Sequence, residues 1–133
     1  MTTPRSDRPN AVTDAALENG RRHTVEAAES LLTALTPALT VRAEVKKDAA
    51  YSPSFDELVA AAQAIATAHE KAVESLLDLA ADLRMAGVQQ REIARRLGMT
   101  EQALSAALSS RSWARVSSAR ELARSRTGAW VRA

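Results

Sequence analysis

The chain has 133 residues, 46% of them apolar, with four aromatics, four glycines, four prolines and no cysteine. That length suits one domain, or one domain with an appendage, and the missing cysteine excludes disulfides and thiolate metal sites. The formal charge of +2 hides an asymmetry: residues 1–83 carry eight Lys/Arg against thirteen Asp/Glu (−5), whereas residues 84–133 carry ten Arg against three Glu (+7). Abundant Ala, Leu, Glu and Arg with little Gly and Pro predict an all-α fold. No run of about twenty apolar residues is present, so neither a spanning helix nor a membrane partner is expected. The opening MTTPRSDRPN has no apolar segment of the secretory type, which makes the cytoplasm the expected compartment.

Residues 1–9, with two prolines and alternating charge, read as a disordered tail. Residues 10–35 read as a helix, capped by Asn10 or Thr13. Its stripe is Leu17, Arg21, Thr24, Ala28, Leu31 and Leu35, widened by Val25 and Leu32. Thr36-Pro37 is punctuation: either Thr36 caps a new helix with Pro37 in its first turn, or one long helix kinks there. Helical character continues to Ala50, with Leu39, Ala43 and Val45 facing inward.

Tyr51-Ser52-Pro53-Ser54 is the clearest break in the chain. Ser54 and Glu57 then fit a capping box that starts a helix from Phe55 to Ala86. Phe55, Leu58, Ala62, Ile65, His69, Ala72, Leu76, Leu79 and Leu83 step by three and four without a slip, a heptad seam sustained for four heptads. At 1.5 Å per residue that rod is roughly 48 Å long. Its seam must pack on residues 10–50 folded back, on a second chain, or on both, and a homodimer is expected. The candidate dimer seam is Phe55, Leu58, Ala62, Ile65, His69 and Leu76, and the helical dimerisation region is residues 10–83.

Residues 84–133 form the second region. Gln89 to Leu97 and Glu101 to Ser109 read as two short helices joined by Gly98-Met99-Thr100. Ile93 and Leu97 share one face of the first helix, and Leu104, Ala107 and Leu108 share one face of the second. Gly98 stands where a helix ends with positive φ, and Thr100 where an N-cap belongs. Leu79, Leu83 and Met85 are expected to complete the core beneath the pair. After Ser110, a short helix of about Ala119 to Arg126 is expected, with Ser117 or Ser118 as its cap, and Trp113 is expected to pack on the core.

The stretch QREIARRLGMTEQALS, with Ile93, Ala94, Leu97, Gly98, Met99, Leu104 and Ala107 at matching positions, resembles the helix-turn-helix of bacterial DNA-binding regulators, both repressors and the region-four-like modules of sigma factors. The resemblance covers about twenty residues. It implies that the second helix enters the major groove, with Thr100, Glu101, Gln102, Ser105 and Ala106 toward base edges. Gln90, Arg91, Arg95, Arg96, Ser109 and Arg111 are the implied phosphate contacts. The concentration of Arg in this half fits phosphate binding independently of the motif. The reading helix itself holds no Arg or Lys, so specificity would rest on two half-sites about 34 Å apart in a dimer.

No catalytic constellation is legible, so no enzyme, cofactor or metal is expected. His69 lies on the seam as a packing or interface residue. Glu70, Glu74, Asp78 and Asp82 recur every four residues without a Glu-x-x-His partner, and like charges so spaced read as a solvated face. The expected function is sequence-specific binding of double-stranded DNA by a dimeric, nucleoid-associated transcriptional regulator. Alternatives are a plasmid or phage partition protein, an architectural DNA-binding protein, or a helical protein-interaction scaffold.

Overall fold

A computed structural model describes residues 10–111, 113, 122–126 and 128–133. The expected tail at 1–9 lies outside the described residues, as do Ser117, Ser118 and the start of the helix expected from Ala119. The described chain is mainly helical: α1 (Asn10–Ala34), α2 (Thr36–Lys47), α3 (Phe55–Met85), α4 (Gln90–Leu97) and α5 (Glu101–Ser109), followed by strands β1 (Leu122–Arg124) and β2 (Trp130–Arg132).

The interruption between α1 and α2 is slight. Leu35 keeps helical dihedrals (φ −83°, ψ −3°), and backbone bonds continue across it, from Leu35 N to Leu31 O and from Leu39 N to Leu35 O, both 2.9 Å. Thr36 does not cap. Its hydroxyl donates to Leu32 O at 3.2 Å, the back-bond that Thr makes inside a helix. Helix α2 stops at Lys47 rather than Ala50, because the Asp48 carboxylate accepts from Ala50 N at 3.0 Å and sets a turn. The capping box forms as read: Glu57 N donates to Ser54 Oγ and Ser54 N to Glu57 Oε1, each 3.1 Å. The Tyr51 hydroxyl also donates to Glu57. That bond, with help from Ser54, holds the Glu57 carboxyl below its usual range.

Contacts group the chain into two units, one of Val25–Ser75 and one of the residues up to Thr24 and from Leu76 onward. In the Val25–Ser75 unit the only buried apolar side chains are Ala64 and Ala68. Val25, Leu32, Leu39, Val45, Phe55 and Ile65 are exposed. Leu39, Ala43 and Val45, expected inside, therefore face outward; the half-buried positions of α2 are Ala38, Val41 and Glu44.

The other unit has the larger core. Val12, Ala15 and Ala16 of α1 join Ala80, Ala81 and Met85 of α3, Ile93 and Ala94 of α4, Leu104 and Leu108 of α5, and Trp113. The inner face of early α1 thus runs through Val12, Ala15, Ala16 and Asn19, not through the expected Leu17, which is 51% exposed. Small alanines on α1 and α3 let helices come close while Met85, Ile93 and Leu104 fill the remaining volume. Leu83, expected in this core, is exposed, whereas Met85 is fully buried.

The expected helix into Arg126 is corrected to a strand. β1 and β2 pair antiparallel, Leu122 opposite Arg132 and Arg124 opposite Trp130. Gly128 closes the turn at φ +87°, and a Cβ there would also come within 2.9 Å of Arg22 Nη2. What overrides helix propensity is a long-range clamp. The buried Asn19 amide donates to Trp130 O and accepts from Trp130 N, both at 2.6 Å, as a neighbouring strand would. Arg124 stacks 3.9 Å over the Trp130 ring and reaches Glu18 at 2.9 Å, and the Trp130 indole donates to the same carboxylate. These contacts, that of Arg124 first, lower the Glu18 pKa.

Candidate nucleic-acid interface

The α4–α5 pair is built by local chemistry at Gly98. Its φ of +68° and ψ of +29° are left-handed, and nothing lies within 4 Å of where a Cβ would stand. Met99 N bonds to Ala94 O at 2.9 Å and Gly98 N to Arg95 O at 3.4 Å, the paired bonds of a Schellman ending. The chain leaves through Thr100, whose extended backbone (φ −76°, ψ 151°) and hydroxyl, accepting from Ala103 N at 3.0 Å, start α5. Leu104 and Leu108 face the core and fix the rotation of α5, while Leu97 and Met99 pack at the core's edge.

That rotation turns Thr100, Glu101, Gln102, Ser105 and Ala106 to solvent, all five exposed. They are the candidate base-reading residues: Gln102, Ser105 and Ala106 lie on the outer side of α5, and Thr100 and Glu101 are exposed at its N-terminal end. Ser109 is exposed too, with its hydroxyl returned to Ala106 O at 2.8 Å. Gln90 opens α4 half-buried, and its side-chain amide spans to Glu101 O at 3.5 Å, tying the starts of α4 and α5 together. Arg91 is exposed.

The remaining candidate phosphate contacts are already engaged. Glu92 takes Arg95 in a forked pair at 2.5 and 3.1 Å, and also Arg96 at 2.8 Å. These bonds, that of Arg95 first, draw the Glu92 carboxyl down to about 2. Both guanidiniums remain largely exposed, so the cluster presents a net positive charge to solvent. Arg111 is largely enclosed: it pairs with Asp78 at 3.3 Å and lies near Ala107 O at 3.4 Å. It holds the end of α5 to α3.

Asp82 departs from the expected solvated acidic face. It is 3% exposed, with the His23 ring at 2.5 Å from Oδ2 and the Trp113 indole donating to Oδ1 at 2.9 Å. Burial pushes its pKa up, against the opposing pull of His23 and Trp113. Asp78 and Asp82, one helical turn apart, therefore secure Arg111 and Trp113, the residues that follow the candidate reading helix. The acidic register alone reads as a solvated face, and no local signal names partners 59 and 31 residues away. Asn19 was likewise silent in the sequence.

Among the described residues no helix is long and apolar enough to cross a membrane, and no cluster of three or more His, Asp or Glu is arranged to hold a metal ion. No protein-family model, curated protein or solved structure matches the chain.

Proposed function

We propose that this protein is a sequence-specific double-stranded DNA-binding protein, a dimeric transcriptional regulator that reads the major groove with α5. The observation that carries this reading is the outer side of α5. Gln102, Ser105 and Ala106 stand exposed on the outer side of a helix whose position is set by a left-handed glycine, an N-cap and two buried leucines, with Glu101 and the capping Thr100 exposed at its N-terminal end. Short and polar side chains at these positions suit a recognition helix, whose outer face and N-terminal end meet the base edges.

The chemistry of the row suits base edges. Gln102 can pair bidentately with adenine, Glu101 can accept from cytosine N4, and the Ala106 methyl can meet a thymine methyl. Arg91, Arg95 and Arg96 supply charge to the flanking phosphates, with Arg95 and Arg96 exchanging Glu92 for phosphate oxygens. A homodimer offers two such helices to two half-sites, which compensates for a reading helix without Arg or Lys.

Binding of a selected duplex, followed by fluorescence anisotropy at two salt concentrations, tests this reading. Gln102→Ala is expected to lose about 1–3 kcal/mol of discrimination between cognate and altered duplex. Arg91→Ala should weaken all duplexes alike and flatten the salt dependence by about one phosphate. Identical behaviour of the two variants on every sequence would refute groove reading.

A further inference from the structure

Helix α3 has two apolar faces of different character. Advancing 100° per residue, Ala60, Ala61, Ala64, Ala68, Ala72 and Ser75 fall within one arc of about 120°. All six are buried or half-buried. Phe55, Leu58, Val59, Ile65, Val73 and Leu76 fall within the opposite arc, and every one is exposed, Phe55 by 79% and Ile65 by 56%. The helix turns its methyl groups inward and its large side chains outward. Burial energy scales with apolar area, so a helix that packed only within its own chain would be oriented the other way.

We infer that the large-residue face of α3 is the self-association surface of the protein, closed by the same face of a second copy running parallel. This rests on the homodimer of the proposed function and names the surface and direction that form it. The exposed row follows Phe55, Leu58, Ala62, Ile65, His69, Val73 and Leu76, stepping three, four, three, four, four, three. The expected seam is thus kept up to His69 and then shifts: Val73 replaces Ala72, which is half-buried. The four-four step is the local correction that keeps an apolar row on one side of a straight helix.

Area and charge identify the occupant. The row alone leaves on the order of 500 Å² of apolar side chain in water, near the top of what monomers usually expose and, matched by the same face of a second copy, enough for an interface of about 1,000 Å². The row holds no Asp, Glu, Lys or Arg, and its charged flank is acidic, Asp56, Glu70 and Glu74. An acidic flank repels both anionic lipid and nucleic acid, which leaves a protein surface. Two-fold symmetry sets the direction. An antiparallel pair brings like flanks together and places Asp56 beside the partner's Glu74. A parallel pair offers each acidic flank to the opposite flank of its mate, formed by Ala61 and Ala72, and sends both chains toward α4 at the same end.

The absence of cysteine makes the test direct. Ala62→Cys, Ile65→Cys, Val73→Cys and, as an exposed position away from the row, Lys71→Cys are each oxidised in the full-length protein without DNA and resolved on a denaturing gel. The parallel seam yields disulfide-linked dimers for Ala62→Cys and Val73→Cys and none for Lys71→Cys. In parallel, Ile65→Glu should raise the dimer dissociation constant by at least about a hundredfold, by burying a charge, with unchanged helical circular dichroism. Dimers formed by Ile65→Cys but not by Val73→Cys would mark an antiparallel pair and overturn the inference, as would equal cross-linking of Lys71→Cys or a wild type that sediments as a monomer. Because no DNA is present, these failures are separate from a failure of groove reading.

Discussion

The unit that holds α4 and α5 and the unit of Val25–Ser75 allocate their side chains in opposite ways. In the first, large apolar residues fill the core: Met85, Ile93, Leu104 and Val12 are all at most 2% exposed. In the second, the buried apolar side chains are two alanines, Ala64 and Ala68, while Val25, Leu32, Phe55, Leu58 and Ile65 are more than half exposed. Polar anchoring follows the same division, since Asn19, Asp82 and Trp113 are buried and bonded in the first unit. The first is organised as a closed core that holds an outward row of polar residues. The second turns large apolar side chains outward. Substitutions should therefore affect stability differently in the two units.

The largest contrast is expected between Leu104→Ala and Ile65→Ala. Truncating the fully buried Leu104 should cost about 3 kcal/mol, a lost transfer term plus a cavity. At protein concentrations below the dimer dissociation constant, Ile65→Ala should cost no more than about 0.5 kcal/mol. Urea denaturation followed by circular dichroism measures both, and equal losses would erase the distinction drawn between the two cores. Next, Trp113→Phe keeps most of the apolar volume but leaves an Asp82 oxygen without its donor, and should cost about 2 kcal/mol. Gly98→Ala meets no neighbouring atom, so its cost should be the conformational one alone, about 1 kcal/mol, readable as a small shift of the same unfolding curve.

The smallest stability effect belongs to Glu92→Gln, whose consequence should appear in DNA binding. Releasing Arg95 and Arg96 from their carboxylate should tighten binding to all duplexes and steepen the salt dependence, without changing sequence preference. Glu92 also provides a pH signature. Its pKa lies below the ordinary carboxyl value, so the clamp on Arg95 and Arg96 is complete above about pH 4.5 and is lost as pH falls toward 2. Carboxyl NMR chemical shifts should place the Glu92 midpoint near 2, and a midpoint at the usual glutamate value would show that the fork does not persist in solution.

What the sequence made legible was local. The Ser54 capping box, the Gly98 ending, the Thr100 cap and the extent of α3 each depend on residues within a turn of one another, and all stand as read. The exposed row of α5 followed because Leu104 and Leu108 fix its rotation. Long-range pairing was the part that local pattern could not supply. Asp82 looked like one more solvated acid until His23 and Trp113 enclosed it, and Leu122 to Arg124 carry helix-forming residues held as a strand by the distant Asn19 and Glu18. The heptad seam is an intermediate case. Its periodicity was visible, but which face of α3 the chain itself would cover depended on the competing alanine row.

The most direct test of the central claim is selection of the purified full-length protein against a random duplex library, with sequencing of what is retained. Groove reading by a dimer predicts an enriched palindrome whose half-site centres are about one helical turn apart, with the enrichment altered by Gln102→Ala. Retention with no sequence enriched, or no retention even at low salt, would contradict it.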